Sequence, residues 1–234
     1  MKRTMMTIGL VAGIWALVGC GVFEQPGPPT TQHRELTDLN SVVLQTSGDL
    51  TIRIGTDEEL AVTAGTNVVD DLTSDITDGT LVLGTRPNRS VNGFISYTLT
   101  VPALSGVEIE GSGNVVGTAV LAGDARLAIS GSGTATLSDL ELTDLSAELS
   151  GSGDMMLSGS STTTTVVVSG SGDYDASALI AAQTSVDSSG SGSVRVNVTE
   201  HLSVTSSGSG DVAYSGNPTL VDRDVTGSGD IFTG

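Results

Sequence analysis

The chain has 234 residues and carries 27 Asp and Glu against nine Lys and Arg, a net charge of −18 at neutral pH. A field of that sign repels nucleic acid and anionic lipid headgroups, which removes both as expected partners. One cysteine, Cys20, excludes a disulfide framework, so stability has to come from stacked aliphatic side chains.

Lys2 and Arg3 precede an apolar run from Met5 to Leu17. A charged start, a short hydrophobic stretch and small residues read as a secretory signal over residues 1–19. The run is shorter than the roughly 20 apolar residues of a membrane-spanning helix. Leu17-Val18-Gly19-Cys20 resembles the lipobox of bacterial lipoproteins, which implies cleavage before Cys20 and lipidation of that residue. The membrane would then be a partner through the lipid anchor. Gly21 is not the aspartate linked to inner-membrane retention, so the resemblance points to the outer membrane of the cell envelope. Residues 20–35, with Gln25-Pro26-Gly27-Pro28-Pro29, read as the lipidated cysteine and a flexible tether. Loss of the signal removes Lys2 and Arg3, leaving seven Arg against 27 carboxylates, a mature charge of −20 (7 minus 27). These carboxylates alternate with Val, Leu and Ile, which argues against a disordered acidic tail.

Seven Gly-Ser-Gly triplets start at Gly111, Gly131, Gly151, Gly170, Gly190, Gly208 and Gly227, at intervals of 20, 20, 19, 20, 18 and 19 residues. Such a period with one tight turn per repeat is the signature of a solenoid. Two residues before each triplet stand Ile109, Ile129, Leu149, Val168, Ser188, Ser206 and Val225. Four before stand Val107, Leu127, Ala147, Val166, Val186, Val204 and Arg223. The pattern resumes four residues after the first glycine with Val115, Ala135, Met155, Tyr174, Val194, Val212 and Ile231. Six after come Gly117, Leu137, Leu157, Ala176, Val196, Tyr214 and Thr233. Apolar residues at every second position make half-buried strands. One such unit cannot bury its apolar side alone, whereas stacked units can. The expected fold is all-β: a parallel β-helix with one coil per 18–20 residues, right-handed because parallel crossovers are. At the corners, glycine is expected both to take positive φ and to leave room between close-lying coils.

Asn114, Thr134, Asp154, Asp173, Ser193, Asp211 and Asp230 follow the successive triplets. Aspartate in a turn commonly accepts backbone N–H bonds at its own corner, and that is the expected role. A ladder of Ca²⁺ ligands formed by Asp154, Asp173, Asp211 and Asp230 is the sharper alternative, since Ca²⁺ takes several oxygen ligands. The spacing differs from the calcium-binding β-roll, and Thr134 and Ser193 interrupt the column. No cofactor is otherwise expected.

Residues 36–104 are less regular but still β-rich, as in Leu50-Thr51-Ile52-Arg53-Ile54 and Tyr97-Thr98-Leu99-Thr100-Val101. Ser47-Gly48-Asp49 looks like a worn corner, and Asn88 to Gly93 reads as a surface loop. This stretch is expected to form the first coils and a cap, ahead of the regular repeats over residues 105–234. Val101-Pro102-Ala103-Leu104, then Val107-Glu108-Ile109-Glu110-Gly111-Ser112-Gly113, and the recurring Ser-Gly-Ser-Gly-Asp corners resemble the auto-transporter adhesin head (GIN) domain family. The resemblance implies a right-handed β-helix on secreted or lipid-anchored bacterial proteins and carries no defined ligand or active site. Gly234 follows closely on the seventh corner, so no translocating barrel is expected after the repeats.

Some β-helices cleave polysaccharides with clustered carboxylates, yet spacing nominates no pair among the 27 here. His33 falls in the tether and His201 in a return segment, while Arg126, Arg195 and Arg223 read as charge-balancing residues. Sugar binding usually also wants aromatic platforms; the candidates are Tyr97, Tyr174, Tyr214, Phe94 and Phe232, with Tyr174 and Tyr214 in core columns. The leading reading is a non-enzymatic, lipid-anchored envelope protein, surface-structural or adhesin-like, with a cell-surface or envelope partner. A Ca²⁺- or small-ligand-binding module is the alternative, and a carbohydrate-active enzyme the third.

Overall fold

The computed structural model describes residues 25–234, so the signal segment and Cys20 lie outside the described residues. In chain order the first strands are β1 (Pro29–Glu35), β2 (Ser41–Leu44), β3 (Asp49–Ile54), β4 (Glu59–Gly65), β5 (Leu72–Thr77), β6 (Thr80–Thr85) and β7 (Ile95–Val101). The repeats supply β8 (Leu104–Ile109), β9 (Val115–Thr118), β10 (Leu121–Ile129), β11 (Ala135–Leu149), β12 (Met155–Val168) and β13 (Tyr174–Ser188). They continue as β14 (Val194–Ser206), β15 (Val212–Ser215), β16 (Leu220–Val225) and β17 (Ile231–Thr233).

β11, β12, β13 and β14 each run from one glycine corner nearly to the next, and consecutive ones pair in parallel. Ile129 lies beside Leu149, Leu149 beside Val168, Val168 beside Ser188 and Ser188 beside Ser206. On the far side of the corner Ala135, Met155, Tyr174, Val194 and Val212 form a second register line. These are the columns that the alternation predicts, and their side chains fill the interior. The coils therefore form a β-solenoid, each turn closing its apolar side against the next.

The final coil departs from the expectation. Among the described residues β16 pairs only with β14, and β17 only with β15. Arg223 and Thr233 are exposed rather than interior, and Val225 is 45 % exposed, since among the described residues no strand pairs with the outer side of β16 or β17.

At the other end the coils are not stacked in chain order. β2 and β3 are sandwiched: β2 lies between β6 and β8, and β3 between β7 and β9, all in parallel. Beyond them β4 runs antiparallel to β7 and β1 antiparallel to β4, while β5 runs antiparallel to β6. Antiparallel strands thus finish this end of the stack, a common way to blunt a sheet edge. Residues 29–35, read from sequence as the end of the tether, are strand β1; its exposure alternates because one side rests on the body. The worn corner at Ser47-Gly48-Asp49 is a true one, since Gly113 is stacked against Gly48.

The interior has a polar stretch. Ser188 and Ser206 are fully buried, as are Thr184 and the Tyr174 hydroxyl, and none of these four oxygens has a hydrogen-bond partner in the fold. β13 carries both the large Tyr174 and the small Ser188, each facing the interior. Burial pushes the Tyr174 phenol far above its ordinary value, which keeps it neutral.

Positive φ was expected at the Gly-Ser-Gly corners and is not found there. None of the corner glycines has it; within the repeats positive φ recurs eight positions after the first corner glycine, at Ala119 (φ 56°), Asp139 (φ 54°), Gly159 (φ 130°) and Gly216 (φ 93°), and is also found at Gly123 and Asn217. The recurring residues bend the chain into its return segment. Corner glycine answers close approach instead. A Cβ on Gly151 would overlap the carbonyl oxygen of Gly131 one coil earlier and sit 2.6 Å from that of Ser130. Backbone surrounds the point on that side, so nothing can move away.

Two substitutions separate these roles. Gly151→Ala forces two coils apart and is expected to cost roughly 3 kcal/mol or more. Ala119→Gly relieves a left-handed alanine and is expected to gain about 1 kcal/mol. Urea unfolding of both variants checks the pair; equal small losses would contradict the assignment.

Candidate functional site

The corners form a continuous edge along the solenoid. From the second corner onward each corner serine donates its amide to the glycine carbonyl one coil earlier: Ser132 to Gly111 at 3.1 Å, Ser152 to Gly131 at 3.1 Å and Ser171 to Gly151 at 3.0 Å. The series continues through Ser191, Ser209 and Ser228.

Beside this runs the column of corner aspartates. Asp154 Oδ1 accepts the Asp173 amide at 2.9 Å, Asp173 Oδ1 accepts that of Ser193 at 2.7 Å, and Asp211 Oδ1 accepts that of Asp230 at 2.8 Å. Asp49 and Asn114 do the same for Asn114 and Thr134. Asp154, Asp173 and Asp211 do accept backbone N–H bonds, but from the next coil's corner rather than, as expected, from their own, and among the described residues Asp230 accepts none. That link spends one carboxylate oxygen on an amide and offsets the repulsion between neighbouring aspartates. The shorter side chains at Thr134 and Ser193 make no such bond to the following coil. Among the described residues no group of three or more His, Cys, Asp or Glu is arranged to hold a metal ion.

The remaining singled-out residues scatter. Arg126 meets Glu148 at 2.7 Å, the charge-balancing role expected of it. His33 lies on β1 with its Nδ1 against Glu59, not in a tether, and His201 Nε2 lies 3.1 Å from Asp222 on the outside of β14 and β16. Arg223 stacks over the Tyr214 ring, 5.1 Å from its centre, and donates to the Tyr214 hydroxyl. Tyr97 and Tyr174 are wholly buried and offer no platform, whereas Phe94 and Phe232 are exposed.

One outward row gathers unlike side chains. Met156, Asp175, Arg195, Ala213 and Phe232 are register neighbours across five successive coils. Burial raises Asp175, but hydrogen bonds from the Ser177 hydroxyl and amide, with Arg195 nearby, outweigh it and hold the carboxyl below its usual range. Sequence alignment of the repeats contains this row, but the contrast in side-chain height becomes meaningful only once the register is known.

If the aspartate column works as a hydrogen-bond acceptor, Asp173→Asn keeps stability within about 0.5 kcal/mol while Asp173→Ala loses about 1 kcal/mol. Thermal unfolding of the two variants tests this. Equal losses would show that charge, not the acceptor oxygen, is what matters.

Solved structures share the architecture. A putative adhesin from Bacteroides fragilis superposes with a TM-score of 0.83 at 24 % identity, covering 88 % of this chain and 97 % of that one. A putative lipid binding protein from Parabacteroides distasonis gives 0.68 at 23 % identity, over 88 % and 97 % of the two chains. A putative adhesin from Parabacteroides merdae gives 0.62 at 17 % identity, over 89 % and 97 %. At these identities the likeness is one of fold. No protein of curated function matches the chain. The family model described as "Putative auto-transporter adhesin, head GIN domain" matches residues 38–218, and the chain belongs to that family.

Proposed function

We propose that this protein is a non-enzymatic, lipid-anchored component of the bacterial cell envelope whose stiff acidic solenoid serves in surface structure or adhesion. The observation that carries the reading is the corner edge, in which carboxylates and serine amides are committed coil by coil to holding the stack. Residues spent in that way build a rigid repetitive surface, whereas catalysis calls for groups converging on one reacting atom. The family's description as an adhesin head agrees with a binding or structural surface. The Leu17-Val18-Gly19-Cys20 sequence supplies the anchor in this reading, with the residues between Cys20 and β1 as a short leash. A mature charge of −20 (7 minus 27) keeps such a surface soluble and repels anionic lipid headgroups, so the body stands off the membrane while the acyl chains hold it.

Protease treatment of intact cells tests the adhesive role. The solenoid is expected to be cut or released from intact cells, and the Cys20→Ser variant to appear in the medium or soluble fraction. Protection until the cells are lysed would remove the adhesion reading. Unchanged membrane association of Cys20→Ser would remove the lipid anchor.

A further inference from the structure

Ala213 is the low point of the outward row that contains Arg195 and Phe232. Its short side chain sits between the long Arg195 of the coil before and the Phe232 ring of the coil after. Two strand spacings put these walls about 10 Å apart. The result is a groove of about 350 Å³, flanked by Ser193 and Asp211 on one side and Ser177 and Ser215 on the other. That volume lies in the range of small-molecule sites, roughly 300–1,000 Å³.

The wall chemistry narrows the occupant. Phe232 is 46 % exposed, so a large apolar face is left in water at the groove wall. Among the described residues Arg195 has no carboxylate within ion-pair distance, which leaves its guanidinium donors free to point at a ligand. Asp211 uses Oδ1 for the Asp230 amide, and its other oxygen is available as an acceptor. The Ser177 and Ser215 hydroxyls are already donated, to Asp175 and to the Val196 carbonyl, which leaves that of Ser193. An aromatic face, a fork of donors, a carboxylate oxygen and the Ser193 hydroxyl together match a ring with an apolar C–H face and a rim of hydroxyls. Asp175 and Asp211 flank the single arginine within a strongly acidic body, which disfavours an anionic occupant.

We infer that this groove is a binding site for one neutral sugar unit, such as the terminal residue of a glycan. Phe232 stacks against the ring, Arg195 and Asp211 bind its hydroxyls, and Ala213 supplies the floor. The inference deepens the adhesive reading and rests on it for its consequence at the cell surface; the groove's chemistry stands without it.

The test is an amide-resolved NMR titration of the purified full chain with the methyl glycosides of glucose, galactose, mannose and N-acetylglucosamine. Glucuronic acid and inorganic phosphate serve as the anionic arms. At least one neutral glycoside is expected to saturate with a Kd on the order of 1 mM, moving the amides of Arg195, Ala213, Ser215 and Phe232. Phe232→Ala, an exposed position, should weaken binding roughly tenfold or more, and Ala213→Leu should abolish it by filling the floor. No saturable shift with any of the four glycosides overturns the proposal. So does preference for glucuronic acid or phosphate, or binding that survives Phe232→Ala undiminished. Loss of sugar binding with protease-accessible protein on cells leaves a surface-structural role standing. Sugar binding by a protein that is protected on intact cells removes the surface role and keeps the groove.

Discussion

The serine amide that reaches the glycine carbonyl of the preceding coil is the contact on which this architecture depends. It draws two corners so close that a side chain on either glycine would meet backbone, and it recurs from Ser132 to Ser228. Corner-to-corner distance then fixes the rise per coil. The strands on either side inherit one register, and the aliphatic columns fall into line without a separate device to align them. The aspartate column reinforces the same edge, because its oxygen bonds the next coil's amide.

Rigidity of this kind has a functional consequence. In a globular enzyme, loops are free to bring distant residues together over one pocket. Here the return segments lie in strands β11 to β14, and a side chain's neighbours are dictated by the coil before and the coil after. New chemistry can arise only where outward residues on adjacent coils differ in size or charge. The row from Met156 to Phe232 is such a place, and the drop at Ala213 turns a flat sheet into a groove. A solenoid of this type presents sites on its surface.

Much of this is legible in the sequence. The 18–20 residue spacing and the alternation around it place Ile129, Leu149 and Val168 in one interior column, because a strand's side-chain period admits only one inward set. Glycine at the corners was legible too, though for a mixed reason: close approach is correct, while positive φ recurs at Ala119, Asp139, Gly159 and Gly216 eight residues on. That second bend was hidden because its residue type changes from coil to coil. The order of the first coils was hidden for a topological reason. Ser41 pairs across 39 residues with Thr80 and Gln45 across 65 with Glu110, and partners so far apart leave no period to read. Strand β1 was hidden by composition, since Pro29-Thr30-Thr31-Gln32 is as polar as a linker and becomes a strand only through its antiparallel bonds to β4. Of the candidate site, the aspartate column was visible and the groove was not, because Arg195 and Phe232 lie 37 residues apart (232 minus 195) and meet only across Ala213.

Hydrogen exchange at the corner amides tests the central contact most directly. The residues after strand ends are exposed, so in an ordinary glycine turn their amides exchange at nearly unprotected rates. If the corners are stacked, the amides of Ser152, Ser171, Ser191 and Ser209 will be as protected as those in the strands of the same coils. Fast exchange at all four, with the flanking strands protected, would contradict the stacked corners and the register built on them.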